Sequence, residues 1–215
     1  LSFFEIEKYQ VKNLKSLEII ANLESSITYI SNILINQLSH SYQNLNFFDI
    51  TKDFNNIYDQ DINFSPIGSK GIRLPNASLN LLKGSYNSDF NTILKEAIHT
   101  DFSLFKKITS IVIKENPKNI GILGLGYYDS NSYEGLSPSF EIYKDLQDKN
   151  YKVALNDPNV VKEDYNELKD INFFDFPKNL NKFDVLILSS DDLIYRSISW
   201  SLLYKNLSNT KTIID

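Results

Sequence analysis

The sequence predicts an α/β protein, with a mainly helical N-terminal region followed by a parallel-sheet domain, and three observations carry that prediction. Apolar residues recur at helical spacing through the first half, and short β-rich runs alternate with helical patterns after Pro117. Several of those runs, "NIGILG" and "FDVLILSS" among them, are apolar without alternation, as expected of strands covered on both faces. The boundary is expected near residue 114, giving domains 1–114 and 115–215.

In the first domain, "LESSITYISNILINQLSHSY" spaces Leu23, Ile27, Ile30, Leu34 and Leu38 by three and four residues, which makes one apolar face of a long helix. A second helix is expected through "FDITKDFNNIY". A third is expected through 89–115, where Ile93, Leu94, Ala97, Phe102, Phe105, Ile108 and Ile111 repeat the spacing. Between them, residues 64–85 ("FSPIGSKGIRLPNASLNLLKGS") carry the glycines and prolines of a structured loop. In the second domain "NIGILG", "YKVALND", "INFFDF", "FDVLILSS" and "KTIID" read as strands. Helices fill the gaps at "SPSFEIYKDLQDKN" and "SISWSLLYKNL", the first with Ser137 as N-cap and Pro138 at its first position.

Composition narrows the function. The net charge of −5 has the wrong sign for a phosphate-backbone footprint, so nucleic acid is not an expected partner. No apolar run reaches the roughly 20 residues of a membrane helix, and a cytoplasmic setting is expected. The chain has no cysteine, which removes thiolate ligands and cysteine nucleophiles together. It also has no methionine, so it reads as a processed or excised piece of something longer. His40 and His99 have no second ligand three or four residues on, and no metal site is expected.

The glycine turn after the first strand, at Gly124 and Gly126, lies where ligands gather in a parallel sheet. The dinucleotide fingerprint fails there, because its third glycine falls on Asp129. A turn that merely lets the strand pack reads equally well. Asp157 follows the second strand, in the place of a carboxylate that accepts ribose hydroxyls, or it forms an ordinary Asp-Pro turn. Lys70 and Arg73 put two cations in the 64–85 loop, either for an anion or simply for solvent.

The ordered series "GILGLGYY", "LSPSFEIYKDL", "VALNDP", "FDVLILSSDDLIYRSISW" and "TIID" resembles the C-terminal nucleotide-sugar-binding domain of the UDP-glucose/GDP-mannose 6-dehydrogenase family. The helical half resembles that family's central dimerisation domain, so a Rossmann-like C-terminal domain and a homodimer through the long helix at 23–43 are implied. The alternative is that this helix fills its apolar face within one chain. The family's N-terminal NAD-binding domain has no counterpart here, so no cofactor is expected in this chain, with NAD only on a domain outside it.

The family oxidises a sugar alcohol twice, through a thioester on a loop cysteine within Gly-Gly-Ser-Cys-Leu-Pro-Lys-Asp. By resemblance Leu74 and Pro75 are retained, while Arg73 stands at the cysteine, Asn76 at the lysine and Ala77 at the aspartate. The helix lysine falls near Leu38 and its asparagine near Gln43. Gly124, Leu125, Gly126, Tyr127, Tyr128 and Asp129 replace Gly-Leu-Ala-Phe-Lys-Pro, and Gly135 replaces an arginine. Arg196 matches a family arginine that could reach an anion, or else pairs with Asp191 or Asp192. The expected nucleotide-sugar residues are therefore Gly124, Gly126, Tyr127, Tyr128, Asp157 and Arg196, and no catalytic residue is expected. The sequence predicts a homologue that has lost the two-step oxidation, with a possible UDP- or GDP-sugar as ligand. A non-catalytic nucleotide-sugar-binding or dimeric scaffold protein is the alternative, and a separate enzyme using the remodelled cleft is a third reading.

Overall fold

The computed structural model describes residues 11, 13–65, 68, 73–85, 91–125, 137–190, 192–207 and 210–214. The N-terminal region is built from α1 (Leu14–Ser41), α2 (Phe47–Tyr58), α3 (Arg73–Gly84) and α4 (Thr92–Lys114). Asn13 starts α1 by accepting the Ser16 N–H at 2.8 Å, and at 1.5 Å per residue the helix is roughly 42 Å long.

The inward face of α1 is not the one the apolar spacing predicts. Ser25, Ser26, Tyr29, Asn32, Ile33 and Asn36 are buried, while Leu23, Ile27 and Leu34 are 48%, 55% and 56% exposed. Two demands outweigh hydrophobicity here. Ser78 of α3 meets Ser26 at 3.0 Å between hydroxyl oxygens, a close approach that large side chains would block. Asn32 and Asn36 accept the backbone N–H groups of Asn63 at 2.8 Å and Ser65 at 3.0 Å, giving an extended segment the partners it would otherwise lack.

The 64–85 segment, expected as a loop, is helical over Arg73–Gly84. Pro75 falls in the first turn of α3, where a missing N–H breaks no intrahelical bond. The inward stripe of α4 is likewise offset from the expected one. Ala97, Leu104, Ile108 and Val112 are buried, whereas Ile93, Phe102 and Ile111 are exposed. Asp101 lies on the inward stripe because its carboxylate accepts the buried Tyr29 hydroxyl at 2.8 Å.

The C-terminal region alternates β1 (Asn119–Leu123), α5 (Pro138–Asp148), β2 (Lys152–Asn156), β3 (Val185–Leu188), α6 (Leu193–Arg196), α7 (Trp200–Asn206) and β4 (Thr212–Ile214). All pairings are parallel, in the order β2-β1-β3-β4. On one face Ile120, Ile122, Val153, Leu155, Val185 and Ile187 pack with Ile142 and Leu146 of α5 and with Ile108 and Val112 of α4. Thus α4 runs from the helical region into the core of the sheet. The other face, with Ala154 and Leu186, is covered by Leu180, Phe183, Phe174, Phe176 and Leu207.

One expected element differs. "INFFDF" makes no regular strand: Leu155 bridges Phe173, and Phe174 and Phe176 instead turn onto the sheet's second face. The helix expected in "SISWSLLYKNL" forms as α7, over Trp200–Asn206.

Candidate functional site at the carboxyl edge of the sheet

The carboxyl ends of β1, β2 and β3 converge on the glycine turn. Gly124 has φ +95°, and a Cβ there would lie 2.1 Å from Ser190 Cβ, so both the backbone conformation and the packing require glycine. Its N–H donates to the carbonyl of Asn156 at 2.8 Å. The packing reading of Gly124 is thus realised, and it leaves the turn aimed at the end of the sheet.

Asp157 binds this turn directly. Its Oδ2 accepts the Leu125 N–H at 2.7 Å and its Oδ1 accepts the Asn159 N–H at 2.9 Å. The residue is half-buried. The Ser137 hydroxyl does not cap α5; it donates to the Leu125 carbonyl at 2.6 Å. Ser139 donates to Ser189 at 2.7 Å, and Ser189 faces the carbonyls of Leu123 and Gly124 at 2.9 and 2.5 Å.

Tyr195 and Asn156, which complete this edge, were not singled out in the sequence. Tyr195, buried, places its hydroxyl 3.0 Å from the Asn156 carbonyl and 2.9 Å from Asn156 Oδ1. Burial, reinforced by the charges of Asp157 and Asp192, pushes its pKa far above the usual tyrosine value, so it remains a protonated donor. Asn156 donates its own amide to the Phe174 carbonyl at 2.7 Å. Asp192 caps α6 by accepting the Ile194 N–H at 2.9 Å and also takes the Asn159 amide. The signal for these residues was present as Asn and Asp following two strand ends, "NDPN" and "SDD", where such side chains bond neighbouring backbone.

Arg196 is exposed and closes α6 rather than opening a helix. Gly126, Tyr127, Tyr128, Asp129, Gly135, Lys70 and Asp191 lie outside the described residues. Arg73 opens α3, Asn76 is half-buried and Ala77 is buried. They lie beside the middle of α1, where Leu74 packs against Tyr29 and Ile33 and Ser78 meets Ser26. Leu38 is farther along α1, roughly 18 Å from Ser26 at 1.5 Å per residue. Leu38 is half-buried, and Gln43 is exposed beyond the end of the helix. His40 has its pKa lowered by burial and then by Lys107.

Among the described residues, no group of three or more His, Cys, Asp or Glu is placed to hold a metal ion, and no helix is long and apolar enough to cross a membrane. A large open cleft, about 620 Å³, lies away from the turn and is lined by residues such as Asn119, Asn172, Phe174 and Phe183.

Comparison with known proteins decides what this edge is related to. Residues 121–215 match the model of the UDP-glucose/GDP-mannose dehydrogenase family, UDP binding domain. This segment is similar to that family's UDP-binding domain. No curated protein sequence matches the chain. Among solved structures, UDP-D-ManNAc dehydrogenase from Pyrococcus horikoshii superposes with TM-score 0.74 at 19% identity, covering 90% of this chain and 46% of that one. UDP-glucose dehydrogenase from Pyrobaculum islandicum gives 0.74 at 13%, covering 93% and 50%. GDP-mannose dehydrogenase from Pseudomonas aeruginosa gives 0.58 at 15%, covering 92% and 47%. At these identities the likeness is one of fold, and it extends through the helical region as well as the UDP-binding domain. The chain spans about half the length of the dehydrogenases it resembles.

Proposed function

We propose that the chain is the dimerisation and nucleotide-sugar-binding part of a cytoplasmic homologue of the NAD-dependent nucleotide-sugar dehydrogenases, and that it does not carry out their two-step oxidation. One observation carries the loss of chemistry. By resemblance Leu74 and Pro75, in the first turn of α3, align with the family's nucleophile motif, yet the sequence contains no cysteine, and thioester formation needs a thiolate. Arg73, Asn76 and Ala77 replace the reactive side chains together.

Ligand binding is supported by the family match over residues 121–215 and by a glycine turn fixed at the strand ends. UDP- or GDP-sugar would meet the turn at Gly124, the half-buried Asp157 and the exposed Arg196, with Gly126, Tyr127 and Tyr128 following in sequence. The dinucleotide fingerprint is not met at this turn, because Asp129 takes its third glycine position. No hydride step is therefore assigned to these residues.

A second reading, a dimeric scaffold, is favoured by one observation. The stripe Leu17, Ile20, Leu23, Ile27 and Leu34 on α1 is exposed in the single chain, and such stripes mark interaction surfaces. Calorimetric titration of the full-length protein with UDP-glucose, GDP-mannose and NAD separates the readings. Binding of one nucleotide sugar supports the first; dimerisation with no binding of either sugar nucleotide supports the scaffold and removes the first. NAD-dependent conversion of a UDP- or GDP-sugar to its uronate would overturn the loss of oxidation.

A further inference from the structure

We propose that Tyr195 is a positioning residue that sets the Gly124–Leu125 turn and Arg196 against one another across the carboxyl edge of the sheet. Its ligand rests on the nucleotide-sugar reading above; its geometry does not. The Asn156 carbonyl receives both the Gly124 N–H at 2.8 Å and the Tyr195 hydroxyl at 3.0 Å, so a single acceptor links the turn to α6. The Tyr195 ring is held edge-on by Phe176, with centroids 5.0 Å apart.

The link closes on its other side through carboxylates. Leu125 donates to Asp157 at 2.7 Å, Asp157 accepts the Asn159 N–H at 2.9 Å, and the Asn159 amide donates to Asp192. Asp192 fixes the start of α6 through the Ile194 N–H at 2.9 Å, and its carbonyl accepts the N–H groups of Tyr195 at 3.0 Å and Arg196 at 3.2 Å. Turn, β2 end and α6 thus form one closed circuit of buried and half-buried polar groups, which respond as a unit rather than as separate bonds. Arg196 adjoins Tyr195 in the chain, so a shift of the ring moves the arginine and frees the turn at once.

Tyr195→Phe keeps the ring and its contact with Phe176 while deleting the donor. The first readout needs no ligand: hydrogen exchange at the Gly124 and Leu125 amides should accelerate about tenfold, while Leu186 and Ile187 in β3 exchange unchanged. Unchanged rates at the turn, or equal acceleration in β3, would overturn the proposal. If Y195F does not fold, Asn159→Ala is measured instead; it deletes the side-chain amide that joins the turn's Asp157 segment to Asp192 and should accelerate the same two amides, and unchanged rates there would overturn the proposal equally. The second readout is the UDP-glucose Kd of wild type, Y195F, R196A and the double variant. Y195F should weaken binding about tenfold, and the two substitutions should combine to less than the product of their separate effects; a simple product overturns the coupling. A wild type that binds no UDP-glucose defeats the nucleotide-sugar reading instead, and the exchange experiment still decides the positioning role.

Discussion

Gly124→Ala tests the reasoning about the turn most directly. The residue sits at φ +95°, where an L side chain is strained, and the new Cβ would lie 2.1 Å from Ser190 Cβ, 2.9 Å from its nitrogen and 3.0 Å from its Cα. The backbone conformation costs about 1–2 kcal/mol, and forcing a methyl into a filled site costs about 1–3 kcal/mol. The combined loss is about 2–5 kcal/mol, a large part of the ~5–15 kcal/mol that holds a domain folded. Urea denaturation followed by circular dichroism measures it. Adding Ser190→Gly should restore only part of the loss, because the side-chain clash disappears while the backbone contacts and the φ strain remain. A loss below about 1 kcal/mol, or full recovery in the double variant, would refute the account.

Tyr29→Phe removes a buried hydrogen bond to the Asp101 carboxylate and should lower stability by about 1.5–3 kcal/mol, read from the same urea transition. Asp184 accepts the N–H groups of Asn119 at 3.0 Å and Lys118 at 2.7 Å, and these bonds hold its pKa below the ordinary carboxylate value. Its contribution is therefore present above the unfolded pKa near 3.9 and is lost as pH falls through the lower folded value. Asp184→Asn should flatten the stability profile across that acid window, and a slope identical to wild type there would contradict the assignment. For the proposed dimer, Ile27→Asp with Leu34→Asp on α1 should give a monomer in sedimentation velocity with little change in helical content, since both side chains are exposed in the single chain. Arg73→Cys alone should not produce NAD-dependent oxidation of UDP-glucose in the full-length protein, because Asn76 and Ala77 remain in place; measurable uronate would contradict this.

What the sequence determined by itself is local or compositional. Unbroken apolar runs marked β1, β2 and β3 as strands buried on both faces, Pro138 sat at a real helix start, and the missing cysteine spoke about chemistry without any coordinates. Tertiary structure decided which faces look inward and which polar groups meet. The apolar stripe of α1 predicts an inward face only if hydrophobicity sets the contact; in the fold, Ser26 against Ser78 and the amides of Asn32 and Asn36 set it. Pro75 reads as a breaker until its place in the first turn of α3 is known. "INFFDF" has strand composition, yet its rings serve the sheet better as cover than as an edge. Asp157, Asn156 and Tyr195 are separated by up to 39 residues in the chain, so no periodicity could join them. Secondary structure follows from spacing along the chain, whereas a site is made by groups that only the packing of several strand ends brings within hydrogen-bond distance.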